Sequence, residues 1–347
     1  YALMWAGVYL MQKTHYNNHY YLLMLLNFLM VIVPAHKYYS LDVRRNPSLK
    51  ATTCPRWCQL IFAITMSIIY FYASVAKMNL DWIQGKPITI MFDGKSHFWL
   101  IGPLLAQTWF KFTVAWLGIG FDLFLGPGLL WHKTRKYAFI GSVFFHLFNS
   151  AVFHVGIFPY LGIAIGIFYF KPETIRGIFF KNKPLAVPTG ARASTEYDIW
   201  KTYAMVTLMI IHILLPLRHW LYPGNVHWTE EGHRLSWHMM LRVKRGYVNL
   251  KIKDHDTGNE WLINPKTYLT RKQSAGIAKK PDMLWQFVQI VKEDLRQKGH
   301  NDISVYAIGK ISLNGSEYKE LYDPTYDLAS VEWHPFKHSE WLLRQHQ

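Results

Sequence analysis

The chain has 347 residues, of which 51% are hydrophobic, 16% aromatic and only 17% charged. Soluble domains carry about 25% charged residues, so this deficit, with 15 Trp, 21 Tyr and 21 Phe, excludes disorder and argues against an ordinary cytosolic protein. The net charge of +16 divides unevenly, +13 over residues 1–222 and +3 over 223–347. A basic excess in the apolar half suits short cytoplasmic loops and disfavours a nucleic-acid partner. The mean hydropathy of +0.01 averages these two unlike halves.

A bilayer-spanning helix needs about 20 mostly apolar residues. Tyr1–Met11 is apolar and reads as the tail of a span, which makes the chain a piece with upstream spans missing. Tyr20–Val33 is a second, short span and Gln59–Ala76 a clear third. Between them Cys54 and Cys58 stand in CPRWC without a second ligand pair, so they read as two unrelated thiols and no metal site is expected. Phe98–Leu130 is broken by Gly102-Pro103 and by four further glycines, which predicts a re-entrant or interfacial piece followed by one span. Tyr137–Phe170, broken at Gly156 and Pro159, predicts two spans with a tight turn. Pro184–Ser194 reads as a linker and Tyr203–Leu217 as the last span.

The basic residues lie in alternate segments: 35–56, 132–137 and 171–200 hold most of them, whereas 12–19, 78–110 and 156–159 hold only Lys13, Lys86 and Lys95. The first set is therefore cytoplasmic. The expected fold class is a multi-pass α-helical membrane domain over 1–222, followed by a smaller extracytoplasmic α+β domain over 223–347. In the latter, Tyr247–Lys253 and Trp261–Ile263 read as a strand pair, Asp282–Arg296 as an amphipathic helix, and Ile303–Leu313 with Tyr318–Tyr322 as a hairpin around Asn314-Gly315.

Ionisable groups within spans are costly and usually functional. His19, Lys77, His154 and the pair Arg218-His219 fall at the outer ends of different spans, and His146 with Asn149 lies deeper on one face that also carries Phe153. Each has a structural alternative: Lys77 snorkelling, His19 capping a helix, His146 packing between helices, Arg218 meeting lipid phosphate. Together they predict a shared outer vestibule. A lysine in an apolar setting is disfavoured as a cation and can act as a general base. Histidines and amides can stabilise an oxyanion. Such a site suits an apolar, weakly acidic substrate such as a quinol.

Eight segments carry a resemblance. Asn17–Leu22 (NNHYYL), Ala73–Trp82 (ASVAKMNLDW), Phe145–Ser150 (FHLFNS), Leu215–His219 (LPLRH), Ser236–Met240 (SWHMM), Leu262–Pro265 (LINP), Tyr322–Asp327 (YDPTYD) and Trp333–Phe336 (WHPF) occur in the order seen in vitamin K-dependent γ-glutamyl carboxylases. The chain resembles that family, within the wider group of HTTM membrane proteins, over nearly its whole length. The resemblance implies oxidation of vitamin K hydroquinone, or of a menaquinol, by O2 to the epoxide, coupled to γ-carboxylation of glutamate with CO2. It implies Lys77 as the base, Asn18 and His19 beside the quinol, and His146 and His219 as further membrane-region histidines. With them, Asn149 and Arg218 complete the candidates for holding the quinol. The implied partners are the lipid bilayer, the quinol and a glutamate-containing peptide or protein.

The resemblance has limits. The animal enzyme has paired lysines where this chain has Ala76-Lys77, and it continues well beyond the WHPF motif. The shorter form points to a bacterial inner membrane and away from the animal protein substrates. Two other readings stay open: a quinol epoxidase without carboxylation, and a non-catalytic membrane scaffold.

Overall fold

A computed structural model describes residues 1–153, 155–182 and 199–345. His154 and the expected linker at Pro184–Ser194 lie outside the described residues. The chain is mostly helical, with a three-stranded sheet near its C-terminal end. It divides by contacts into two units, one of residues 1–11, 16–75 and 117–215, the other of 12–15, 76–116 and 216–347.

The apolar helices, which lie wholly or mostly in the first unit, are α1 (Ala2–Leu10), α2 (Asn18–Ile32), α3 (Trp57–Lys77), α4 (Thr108–Leu130), α5 (Arg135–Phe153), α6 (Phe158–Gly166) and α7 (Ile199–Leu214). Helix α2 starts where it does because Asn17 is extended and its side chain accepts the Tyr20 N–H at 2.8 Å. It ends at Val33-Pro34, since the residue before a proline is pushed out of the helical region. Its buried positions Asn18, Tyr21, Leu22, Leu25, Leu29 and Ile32 recur at helical spacing. Tyr169 donates from its hydroxyl to the Ala63 carbonyl at 2.7 Å, the Tyr72 hydroxyl donates to Ile213 O at 2.6 Å, and Ser74 Oγ donates to Ile119 O at 2.9 Å. Such bonds join helices where apolar burial alone provides little drive. Phe124, Phe144 and Leu214 remain exposed, as lipid-facing side chains do.

Among the described residues three helices are long and apolar enough to cross a bilayer, Trp57–Lys77, Thr108–Leu130 and Ile199–Leu221. Asn18–Ile32 and Phe158–Tyr169 are apolar but shorter. The glycines of Phe98–Leu130 do not all interrupt it: the break falls after a short helix, Gly102–Ala106, and α4 then runs unbroken through Pro127. The expected turn between α5 and α6 is present, with Gly156 at φ +68°.

In the second unit, β1 (Lys244–Asp254) is the central strand, flanked antiparallel by β2 (Glu260–Ile263) and β3 (Ile303–Leu313). Val248, Leu250 and Ile252 alternate inward on β1 and meet α9 (Pro281–Gln297) through Leu284, Phe287, Val288 and Val291. Each such side chain contributes about 1.5–3 kcal/mol on burial. A shorter helix, α8 (Arg271–Ile277), is closed by a capping box between Thr270 and Gln273.

One expected strand is not formed. The Asn314-Gly315 turn exists, with both residues at positive φ, but Tyr318–Tyr322 makes only isolated bridges, Lys319 to Ile311 of β3 and Tyr322 to Leu342. The chain then leaves the sheet because Tyr322 buries its ring and donates its hydroxyl to Ile277 O at 2.9 Å, while Leu321 O accepts the Leu343 N–H.

Candidate functional site

Four of the expected site residues lie in the first unit, and two of them share one aromatic ring. His19, in the first turn of α2, stacks on Phe158 at 5.0 Å between ring centroids. His146, fully buried on α5, meets the same Phe158 edge-on at 5.8 Å. Phe158 stands at the start of α6, directly after the Gly156 turn, so the turn sets its position. Asn18 is buried and its amide oxygen accepts from the Tyr16 hydroxyl at 3.0 Å. Asn149 lies one turn after His146 and is half-buried.

His146 itself is held on one side only. Its Nε2 lies 2.9 Å from the Tyr70 hydroxyl, while its buried Nδ1 has no hydrogen-bond partner among the described residues. With Tyr70 donating, the ring proton sits on Nδ1 and is available as a donor. The close approach of α6 to this ring depends on Gly162, where a Cβ would fall 2.5 Å from Nε2. Tyr70, Phe158 and Gly162 were not anticipated from sequence. Their only signals are the helical offset of Tyr70 within α3 and the Gly-rich character of α6.

Lys77 belongs to the second unit. It continues the buried stripe of α3 after Tyr70 and Ala73, and only 8% of it is exposed, so it does not snorkel. Its Nζ lies 5.5 Å from the centre of the Trp82 ring. That ring is fixed twice over. Asn79 caps the next short helix by accepting the Trp82 N–H at 3.0 Å, and the indole N–H donates to Ala115 O at 2.9 Å. Asp81 pairs with Lys86 at 2.9 Å and accepts from Asn314 of the β-turn at 2.8 Å. The motif from Ala76 to Trp82 is thus anchored at both ends.

Arg218 and His219 also fall in the second unit. His219 packs its ring 4.7 Å from that of His238, and Gly232, at φ +68°, lies against the His219 backbone where a Cβ would come within 2.5 Å. His238 Nδ1 is 3.1 Å from His227 Nε2, and the His233 ring stands 5.9 Å from that of His238. This group borders a buried ion cluster in which Glu230 meets Arg242 through two hydrogen bonds, of 2.7 and 2.5 Å, and lies 3.6 Å from both Lys244 and His233. Burial pushes the Glu230 carboxyl up, but Arg242, Lys244 and His233 overcome this and hold it below the usual carboxylate range. Burial, aided by Arg242, pushes His227 down to about 3. Burial and the neighbouring cations push His233 and His238 well down too. Burial lowers Lys244 to about 8, with Glu230 opposing. Of the residues that surround Arg218 and His219 here, only His238 fell within a motif noted in the sequence. Among the described residues no group of three or more His, Cys, Asp or Glu is arranged to hold a metal. Cys54 and Cys58 are free thiols.

The apolar helices and the α+β part define a multi-pass membrane protein with a smaller C-terminal domain. Two family models cover nearly all of it: the HTTM domain matches residues 1–173, and the vitamin K-dependent gamma-carboxylase lumenal domain matches residues 197–347. The chain belongs to the vitamin K-dependent gamma-carboxylase family. No solved structure matches it.

Proposed function

We propose that the protein oxidises a membrane quinol, vitamin K hydroquinone or menaquinol, with O2 and couples this to γ-carboxylation of glutamate in a peptide or protein. The observation that carries the reading is the unsatisfied Nδ1 of His146 in an aromatic setting. A fully buried polar atom without a partner is costly, and this one stands beside Phe158, which also stacks on His19. Flat aromatic walls with one free hydrogen-bonding atom suit a hydroxylated ring.

Roles are assigned residue by residue. His146, donating through Nδ1, stabilises negative charge on a quinol oxygen. Phe158 and His19 hold the ring plane, and Asn18 and Asn149 supply amide hydrogen bonds. Lys77, buried over Trp82, is assigned by family resemblance as the base of this chemistry. His219 is a further histidine of this chemistry by family resemblance. The bound quinol, as O2 oxidises it, supplies the base that removes a γ-proton from glutamate, after which the substrate carbanion adds CO2.

The test supplies protein in nanodiscs with reduced vitamin K, O2, labelled bicarbonate and a glutamate peptide, and measures epoxide and fixed label together. Both products are expected from the wild type and neither from Lys77→Met, whose α-helical spectrum should be unchanged. Epoxide without label would reduce the assignment to an uncoupled epoxidase. Full activity in Lys77→Met would remove Lys77 as the base.

A further inference from the structure

The second unit contains a cavity of 210 Å³ with Arg218, Arg234, Lys13, Lys337, Asp282 and Trp333 on its walls. It is smaller than the roughly 300–1,000 Å³ of sites that enclose drug-sized ligands. A quinone with an isoprenoid tail exceeds it, and a compact headgroup does not.

The charges on its walls are unequally matched. Asp282 is shared by Arg234 at 3.0 Å and Lys13 at 3.6 Å. Glu230 is held by Arg242 and Lys244, and Glu231 accepts from His338 at 2.7 Å and from the Ser339 N–H at 2.8 Å. Arg218 differs. Its Nη2 donates to the Arg234 carbonyl at 3.0 Å, its Nε is buried without a hydrogen-bond partner, and no carboxylate among the described residues lies within 4 Å of it. A guanidinium presents several donors in a planar fork that suits an oxyanion. One with an unsatisfied buried N–H on a cavity wall has the form of a receptor for one.

The neighbouring loop is shaped for this. Glu230, Leu235 and Trp237 adopt positive φ, as does Gly232, which lies against the backbone beside Arg218. Non-glycine residues in that region are strained and persist where the surroundings demand them.

Chain position indicates the source of the oxyanion. Arg218 lies within the last turns of the apolar helix Ile199–Leu221, and Lys13 follows α1 by three residues. Trp220 and Leu221 are 62% and 73% exposed beside Arg218. Basic residues and tryptophan at helix ends mark the level of lipid headgroups. We infer that this cavity binds the phosphate of a membrane phospholipid, with Arg218 as its principal ligand and Lys13, Arg234 and Lys337 around it.

The experiment uses the full chain in a neutral detergent and native mass spectrometry, titrating a short-chain phosphatidylglycerol. Parallel arms use inorganic phosphate and a capped triglutamate peptide. One lipid should bind to the wild type, and Arg218→Gln should weaken it at least tenfold. Lys337→Gln, at a side chain 71% exposed and free of packing duties, should weaken it about threefold even if Arg218→Gln fails to fold. Equal lipid binding by wild type and both variants, or no lipid bound by the wild type, overturns the inference. Inorganic phosphate binding as tightly as the lipid would make this a soluble-phosphate site, and binding of the peptide in place of the lipid would make it a peptide site. Either result overturns the lipid assignment.

Discussion

Replacing Gly162 by alanine probes the His146 setting without touching a polar group. The backbone of α6 is helical at Gly162, so alanine alone would favour the helix by about 1 kcal/mol. Its Cβ, however, would lie 2.5 Å from His146 Nε2 and 2.7 Å from Cε1, where ordinary contact begins at 3.4 Å. The ring must retreat by roughly 0.9 Å, and neighbouring His146 contacts, Tyr70 at 2.9 Å and the edge of Phe158, move with it. Overpacking of this kind costs about 1–3 kcal/mol. Displacing the Tyr70 bond adds roughly 0.5–1.5 kcal/mol. Set against the helix gain, the net destabilisation is about 0.5–3.5 kcal/mol, visible as a lowered melting temperature in detergent. The effect on turnover should be larger than the effect on folding, because a misplacement of about 1 Å can cost 10²-fold in rate. The assay compares quinol-dependent epoxide formation and melting temperature for wild type, Gly162→Ala and, as a milder control, Tyr70→Phe. Wild-type turnover in Gly162→Ala, with an intact fold, would show that the position of His146 does not matter to the reaction and would refute the reasoning.

The remaining predictions concern the second unit. Glu230→Ala should destabilise it by about 3–5 kcal/mol, because Arg242 and Lys244 then remain buried without their carboxylate; chemical denaturation followed by tryptophan emission reads this, and a loss below 1 kcal/mol would contradict it. Acid should also weaken this unit. His227, His233 and His238 have folded values depressed below 6.5, so as pH falls below 6.5 the unfolded chain takes up protons that the folded one refuses. Stability is therefore full above pH 6.5 and declines toward pH 3, at up to about 1.4 kcal/mol per unit for each histidine. Melting temperatures between pH 7.5 and 4.5 should show the decline, and His227→Gln should flatten it by about one proton. Leu284→Ala, at a fully buried contact between α9 and the sheet, should cost about 2–5 kcal/mol, and a melt shifted by less than 1 °C would count against the assigned core.

Much of the architecture was legible because its causes are local. Apolar runs of bilayer length, the proline after Val33, the alternation along β1, the helical spacing of Leu284, Phe287 and Val291, and the Asn314-Gly315 turn all act within a few residues. The polar residues of the helices, His19, Lys77, His146 and Arg218, stood out for a similarly local reason, since charge and hydrogen-bonding capacity are costly in apolar segments. Tertiary structure decided the rest. Nothing near His19 or His146 in sequence indicates that both rings would meet Phe158, because that contact is made by a third helix after a glycine turn. Tyr318–Tyr322 had the composition of a strand, but the burial of Tyr322 against Ile277 and Ala278 outweighed further pairing with β3. Residues 76–116 read as the end of a span with Lys77, a loop and an interfacial piece, yet they join the C-terminal part in one compact unit, with Asp81 bonded to Asn314 across 233 positions. Hydropathy and period specify which face of an element is apolar, and only the long-range packing specifies which partner covers it.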